Sequence, residues 1–403
     1  MNYHKFQKYR KEFFLAAFLY LIIFSGQLLY DSIPDEIYAV SGQEEGICFS
    51  SVPVTVEKVQ ETIPVFHNIN QTKDFTLTCK FLNWIPVKEV SVHVVEPDYV
   101  IPSGIPIGIY TKTKGVLIIG TGKVTAADGL TYDPADQIVR SGDYITAVNG
   151  TAISEKEELV NFVNQCGGQP LILGILRDEA VIEVKIDPII LEDGSYKIGI
   201  WVRDDMAGVG TMTYVKKDLE YGALGHPVSD ADTGSMIELS GGTVYQTQIV
   251  GIVKGENGSP GELTGIIDYK EKYCLGDIKE NTKTGIYGTV NQIPEGMKES
   301  YAEVCMKQDI QKGSAYILSS LDGTMRQYQI EIDDIDFNNK EENKGILFHV
   351  TDEKLLNETG GIVQGMSGSP ILQDGKIIGA VTHVFVSDAT KGYGVFIEKM
   401  MEH

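Results

Sequence analysis

Hydrophobic residues form one long stretch near the start of the sequence, interrupted only by Ser25, Gly26 and Gln27. Residues 13–30 read FFLAAFLYLIIFSGQLLY, and the basic side chains of Lys5, Lys8, Arg10 and Lys11 precede them. A basic flank before an apolar run of about 18 residues is typical of an export signal whose basic end stays in the cytoplasm. The pattern predicts a signal anchor over 13–30, with 1–12 as a cytoplasmic flank and the rest of the chain outside. A removed signal peptide is the alternative.

The pattern then changes to short alternating segments. Residues 31–47 are acidic and resemble a linker, and 48–97 alternate apolar and polar residues in stretches such as SVPVTVEKV and EVSVHVVEP. Period-two alternation indicates half-buried β-strands. We therefore predict a linker and a small β-rich region over 31–97.

Residues 98–190 have the pattern of a separate α+β module. The loop at Ile107, Gly108 and Ile109 leads to the apolar strand GVLIIG, and the segment SGDYITAVNG is followed by an amphipathic helix whose capping box is expected at Ser154 and Glu157. Over about 90 residues this order resembles a PDZ domain. In that family the backbone N–H groups of the loop hold a peptide carboxylate and the next strand pairs with the peptide. The resemblance implies that Ile107–Ile109 bind a peptide.

Short β-like segments separated by turns fill residues 191–403, and little helical periodicity is present there. Such spacing predicts a β-barrel or a β-sandwich. The chain as a whole is thus expected to be mainly β.

The strongest chemical signal is the sequence GMSGSP, residues 365–370. Glycines on both sides of Ser367 allow a tight turn that exposes its hydroxyl, and the N–H groups of Gly365 and Ser367 can then form an oxyanion hole. The hairpin predicted next, with an Asp374-Gly375 turn, is what chymotrypsin-like proteases place after their nucleophile. Ser369 is a competing hydroxyl without the same flanking residues.

A serine nucleophile needs a base, and His226 in YGALGHP is the best candidate. The interval of 141 residues between His226 and Ser367 leaves room for a double β-barrel with the site between the barrels. His383 and His349 are rivals in apolar strands, where a packed core histidine is the more common interpretation. For the third member, Asp352 stays open against a set of other acidic residues: Asp322, Asp333, Asp334 and Asp336.

Composition removes other classes of function. The formal net charge of −22 disfavours binding to nucleic acid. The five cysteines form no CxxC pair and no HExxH motif occurs, so we expect no metal and no cofactor. Buried free thiols are the favoured state of the cysteines, with one disulfide, such as Cys274 with Cys305, left open.

With these residues assembled, the chain resembles the stage IV sporulation protein B family of endospore-forming bacteria. The motifs YGALGHPVSDADTG, VTDEKLLNETGGIVQGMSGSPI and GKIIGAVTHVFVSD carry the resemblance. It implies a serine endopeptidase with His226, Asp352 and Ser367 as its triad. It also implies an enzyme between the forespore and mother-cell membranes that cleaves a regulator of an intramembrane metalloprotease, so that a late sigma factor is activated. The enzyme would also cut its own amino-terminal region, and its PDZ-like module would bind a peptide or that region.

Two other functions fit parts of this pattern. A PDZ-bearing protease of envelope quality control would use the same chemistry, although such enzymes commonly carry the PDZ domain behind the catalytic domain. A catalytically inactive membrane scaffold is the second alternative, and the presence of both His226 and Ser367 disfavours it.

Overall fold

The structure is a computed structural model that describes residues 3–403 except 44–46, 48, 50, 51, 59–73 and 257; Cys48 therefore lies outside the described residues. Helix α1 covers Tyr3–Ser32. Its stretch Phe13–Ser32 is long and apolar enough to cross a membrane, and most of its side chains are exposed. Length and composition thus agree with the expected anchor.

A four-stranded sheet follows α1. Its strands are β1 (Glu36–Val40), β2 (Thr55–Lys58), β3 (Phe75–Phe81) and β4 (Ile85–Val95), in the spatial order β1-β4-β3-β2. Strand β1 runs parallel to β4, with Glu36 opposite Ser91. Buried residues of this sheet, among them Ile37 and Val92, share one core with the last barrel of the chain, so the sheet is packed against that barrel.

The middle of the chain contains most of the strands. In chain order they are β5 (Tyr99–Pro102), β6 (Pro106–Thr121), β7 (Val124–Thr125), β8 (Thr131–Tyr132), β9 (Tyr144–Val148), β10 (Thr151–Ala152), β11 (Leu171–Arg177), β12 (Ala180–Ile186), β13 (Ile189–Ile190), β14 (Tyr196–Lys197), β15 (Ile200–Val215), β16 (Glu220–Ala223), β17 (Leu239–Val253), β18 (Glu262–Ile267), β19 (Cys274–Ile278), β20 (Glu280–Thr282), β21 (Gly285–Thr289) and β22 (Ala302–Glu303). Helix α2 (Lys156–Gln165) lies between β10 and β11.

A PDZ-like module is built from the strands β12-β11-β9-β6-β15, in that order, together with α2. The face of α2 that carries Leu159 and Val163 is buried in a core that belongs to this module alone, as its periodicity predicts. The capping box is one residue later than expected, because the N-cap is Glu155 and its partner is Glu158.

The predicted boundaries of this module, 98 and 190, are corrected by strand pairing. The first half of β6 pairs with β15 and β17 in a barrel, whereas its second half, Val116–Thr121, pairs with β9 and with the start of β15. Ile198 also lies in the module's core. The module is therefore inserted into a barrel and occupies roughly 115–203.

The first barrel surrounds this insertion. Strand β6 pairs with β15, β15 with β16, β16 with β21, and β6 also pairs with β17, which pairs with β19. A bridge between Gly276 and Val290 closes the ring between β19 and the end of β21. The core of this barrel includes Ile107, Met212 and Ala223.

A closed six-stranded barrel forms the carboxyl-terminal part, in the order β23-β24-β25-β28-β27-β26. Its elements are β23 (Gly313–Ser319), β24 (Arg326–Ile335), β25 (Ile346–Val350), α3 (Glu353–Thr359), β26 (Pro370–Gln373), β27 (Lys376–Phe385), β28 (Asp388–Phe396) and α4 (Ile397–Met400). The predicted hairpin is confirmed: Asp374 and Gly375, both at positive φ, join β26 to β27. The expected mainly β fold with a PDZ-like module and two barrels is thus observed.

Candidate active site between the two barrels

The loop that carries Ser367 is fixed by contact with the first barrel. Gly368 has φ +94°, and a Cβ atom at that position would lie 2.0 Å from the carbonyl oxygen of Thr211. Only glycine fits such a site, because side chains rarely adopt this φ and no space remains. The carbonyl oxygen of Ser367 also accepts a hydrogen bond from the Thr211 N–H at 2.9 Å. Ser367 is therefore held on the second barrel where it meets the first.

His226 is presented from the opposite side of the same boundary. It follows β16 after Leu224 and Gly225, which both have φ +70°. A Cβ atom at Gly225 would lie 2.9 Å from Cγ2 of Thr382 in the second barrel. The left-handed turn at these positions brings the imidazole to the barrel interface.

His226 and Ser367 line the same cavity, which has a volume of 510 Å³. Gly365, Thr382 and His383 also contribute to its wall. The two residues that the motifs single out, 141 positions apart in the sequence, are thus brought together by the packing of two barrels.

Both candidate side chains are hydrogen-bonded to backbone carbonyls. The hydroxyl of Ser367 donates to the carbonyl oxygen of Thr382 at 2.9 Å, and Nδ1 of His226 lies 2.9 Å from the carbonyl oxygen of Pro227. Because a carbonyl oxygen only accepts, it selects the tautomer of His226 with a proton on Nδ1, which leaves Nε2 as a free base. Burial lowers the pKa of His226, and the bond to Pro227 opposes that shift.

The amide groups expected to form an oxyanion hole are available. Among the described residues, no protein acceptor takes the backbone N–H of Gly365 or of Ser367. The neighbouring N–H groups are used: that of Met366 donates to Val363 and that of Gly368 donates to Val381. Gly365 has φ +97°, the kind of backbone conformation that such a turn requires.

His383 does not lie in a closed core, contrary to the expectation for a histidine in an apolar strand. A bulge in β27 between Val381 and His383 turns the Thr382 carbonyl towards Ser367, and the His383 ring centroid lies 5.3 Å from that of His226. Nδ1 of His383 is buried without a hydrogen-bond partner in the described part of the chain. Burial, then the neighbouring charge of His226, lowers the pKa of His383 to about 4, so the ring is neutral at neutral pH.

Asp352 is not brought to His226, and this corrects its expected place in a triad. It is the N-cap of α3, where Oδ1 accepts from the N–H of Leu355 at 3.0 Å and Oδ2 accepts from the N–H of Gln329 at 3.3 Å. It does not line the cavity of His226 and Ser367. The alternatives do not line this cavity either. Their side chains have other partners: Asp322 pairs with Arg326, Asp333 with His349 and Asp334 with Lys312, and Asp336 accepts from the N–H of Asn338.

The expected peptide-binding loop is also corrected. Ile107, Gly108 and Ile109 lie inside β6, paired with β15 on one side and with β17 on the other, so no edge remains for a peptide strand. The same Ile-Gly-Ile sequence recurs at Ile198–Ile200, where β15 begins. This second occurrence was the signal in the sequence that could have located the loop.

The second Ile-Gly-Ile segment borders a groove of 420 Å³ beside α2. Leu159 and Val163 of α2 line one wall, and Ile200 and Trp201 line the other. Within the described residues, Ile200–Arg203 pair only with β6, which leaves the edge of β15 that faces α2 without a strand partner. An open strand edge beside a helix is the arrangement that accepts an extended peptide.

Comparison with protein families places the chain in a class. The model of the family described as SpoIVB peptidase S55 matches residues 194–401, which is just over half of the chain. The protein is a serine peptidase. It belongs to the SpoIVB peptidase S55 family, as its motifs suggested, and the matched region contains both barrel segments that supply His226 and Ser367.

Solved structures show weaker similarity. The PDZ domain of an SdrC-like protein from Listeria monocytogenes has 21% identity, covering 22% of this chain and 87% of that one, with a TM-score of 0.18. The Rv3671c protease in an inactive form has 13% identity, covering 48% and 81%, with a TM-score of 0.24. A serine-to-alanine mutant of Rv3671c from M. tuberculosis H37Rv has 11% identity, covering 48% and 80%, with a TM-score of 0.24. No curated protein matches the chain.

Proposed function

We propose that the protein is an endopeptidase in which Ser367 is the nucleophile and His226 is its general base. Nε2 of His226 takes the proton of the Ser367 hydroxyl as the oxygen attacks a peptide carbonyl, and it then gives that proton to the leaving amine. Water hydrolyses the acyl-enzyme by the same route. The observation that carries this proposal is the single cavity that both side chains line.

The N–H groups of Gly365 and Ser367 would stabilise the tetrahedral oxyanion. Donors fixed in advance need no rearrangement when the negative charge develops, and one such donor is worth about 10²–10³ in kcat. Neither N–H group has an acceptor in the part of the chain that the structure describes, which supports this role.

One rearrangement precedes the reaction. In this state the Ser367 hydroxyl donates to Thr382, whereas catalysis needs it to donate to His226. The Pro227 carbonyl supports the required tautomer, a task that an aspartate performs in other serine proteases. The cleft is therefore in a resting form. A bound substrate would convert it to the active form by donating a hydrogen bond to the Thr382 carbonyl in place of the Ser367 hydroxyl.

The proposal extends to the substrate and the setting, for which membership of the family is the support. We propose that the barrels work outside the cytoplasmic membrane, between forespore and mother cell, held by α1. There the enzyme would cleave a protein that restrains an intramembrane metalloprotease, and so lead to activation of a late sigma factor. The apolar stretch Phe13–Ser32 and the family match support this setting.

The groove beside α2 is the proposed site for a peptide, either from the substrate or from the enzyme's own amino-terminal region. Arg203, two residues after Trp201 of the groove, forms an ion pair with Asp230 in the loop that follows His226. Binding of a peptide at the groove can thus change the position of His226, the proposed general base.

Self-cleavage in trans is the test. A labelled full-length Ser367→Ala variant serves as the substrate for unlabelled wild-type enzyme. A Ser369→Ala enzyme is the matched control, because the Ser369 hydroxyl is buried and makes no hydrogen bond among the described residues. We expect wild-type and Ser369→Ala enzyme to cut the amino-terminal region of the substrate. Cleavage by Ser367→Ala enzyme at more than about 10⁻³ of the wild-type rate would contradict the assignment of the nucleophile.

A further inference from the structure

The hairpin between β3 and β4 ends in apolar side chains that no part of the described protein covers. Leu82 is 65% exposed, Trp84 is 72% exposed and Ile85 is 37% exposed. Leu82 and Asn83 both have positive φ, 51° and 66°, so the turn is tight and projects these side chains outwards. An aqueous surface disfavours such a cluster, which indicates contact with something apolar.

Strand register shows where this tip points. Only residues 33–35 separate α1 from β1, and β1 runs parallel to β4 with Glu36 opposite Ser91. Ile85 precedes Ser91 by six residues, which at about 3.3 Å per residue places it roughly 20 Å back towards the side from which α1 delivers the chain.

Lys88 fixes that direction by contact. It lies between Ile85 and Ser91, and its Nζ atom is 4.6 Å from the centre of the Tyr30 ring and donates to the carbonyl oxygen of Ile33 at 2.6 Å. Both contacts are with the last turn of α1 and the residue after the helix. Lys88 therefore lies at the level at which the apolar helix ends, and the tip extends beyond it on the side of the helix.

We propose that Leu82, Trp84 and Ile85 insert into the interfacial layer of the membrane that α1 spans, on the leaflet next to the folded domains. This inference depends on the proposed anchor and adds a second attachment to it. Tryptophan favours the headgroup region because its ring is apolar and its N–H is polar. Lipid is the occupant that the geometry favours, because the tip is tethered beside a membrane helix at the height where that helix leaves the hydrocarbon.

Two attachments would orient the enzyme. A single helix allows the domains to swing, whereas a helix and a hairpin fix the sheet β1-β4-β3-β2 relative to the membrane. Because Ile37 and Val92 of that sheet share a core with Ile330 and Phe348 of the second barrel, the cleft is then held at one height. A substrate segment close to the membrane would meet the cleft in a fixed orientation.

The tryptophan content allows a direct test, because the chain has only two tryptophans, Trp84 and Trp201. The full chain is reconstituted in phosphatidylcholine vesicles with and without a lipid brominated near the headgroup. In the Trp201→Phe variant we expect Trp84 emission to fall at least about two-fold in the brominated vesicles, because an interfacial indole contacts such lipids. The Trp84→Phe variant is the matched control: Trp201, exposed beside α2, should show no change.

Each other result overturns the inference. Equal Trp84 emission in both kinds of vesicle would show that the tip does not contact lipid. Trp84 shielded from acrylamide but not quenched by bromine would show that protein covers it. Failure of the protein to float with the vesicles would contradict both the membrane anchor and the insertion of the tip. The assignment of Ser367 would be unaffected, because the trans cleavage assay tests it separately.

Discussion

The two sides of the catalytic cleft differ in the interaction that dominates each of them. On the serine side, Gly368 presses against the backbone of Thr211, and the strands behind it form a closed barrel. On the histidine side, a loop is held by polar contacts: buried Asp230 forms an ion pair with Arg203 and accepts the N–H groups of Asp232 and Thr233. Close packing tolerates almost no movement, whereas polar contacts can be exchanged.

This difference teaches which half of the site can respond to other parts of the molecule. Arg203 belongs to β15, the strand that borders the groove beside α2, and Lys156 at the start of α2 is bonded to the adjacent Asp204. A chain of contacts therefore leads from the groove to the loop after His226. Strand β15 also reaches the serine side, where Thr211 donates to the carbonyl oxygens of Ser367 and Gly365. Close packing at Gly368 restrains that side in addition, so the histidine side is the more adjustable one.

The largest effect is expected on the serine side. Gly368→Ala would place a methyl group against Thr211 at φ +94°, which should lower the free energy of unfolding by about 3–5 kcal/mol. Urea denaturation measures it. Gly375→Ala is the control, because φ there is also positive, +81°, but the space is open; a loss there of about 1 kcal/mol is expected. Equal losses would show that barrel contact contributes nothing.

A smaller effect is expected on the histidine side. Arg203→Ala leaves buried Asp230 without its cation, which should cost about 2 kcal/mol of unfolding free energy. Displacement of the His226 loop should also lower kcat by about ten-fold. Arg326→Ala, which breaks an exposed pair with Asp322, is the control and should cost less than about 0.5 kcal/mol. An unchanged kcat in Arg203→Ala would show that the contacts of Arg203 do not couple the groove beside α2 to the active site.

The pH dependence sharpens the account of the base. His226 must be neutral to act, and burial lowers its pKa, so the acid limb of kcat/KM should have its midpoint below the ordinary value of about 6.5. The unfolded chain binds a proton on His226 and His383 before the folded chain does, so stability should fall as pH drops below about 6.5. A midpoint above that value would contradict a buried neutral base.

The smallest effect is expected at Asp352. As an N-cap it should be replaced by Asn with little loss, because Asn caps as well as Asp and the change should stay below about 0.5 kcal/mol. An aspartate that orients the base would behave otherwise, since its replacement by Asn lowers kcat by about 10⁴ in such a triad. Steady-state cleavage by Asp352→Asn therefore distinguishes a cap from a triad member.

The sequence predicted features that depend on neighbouring residues better than features that depend on pairing between distant strands. The turns around Ser367 and the hairpin after it depend on neighbouring residues, so GMSGSP and Asp374-Gly375 were sufficient to expect them. The insertion of the module could not be predicted, because β6 and β15 each belong to two units and only register reveals that. The loop at Ile107–Ile109 was misplaced for the same reason: two Ile-Gly-Ile segments are equivalent in sequence, and pairing on both edges rules out one of them.

The central claim is that Ser367 is activated by His226, and labelling with a fluorophosphonate tests it most directly. The reagent is added to wild-type protein and to the His226→Ala, His383→Ala and Ser367→Ala variants, and mass spectrometry locates the adduct. The account predicts an adduct on Ser367 of the wild type, and its loss in His226→Ala while the circular dichroism spectrum is retained. An adduct on another residue, or labelling of Ser367 that persists without His226, would contradict it.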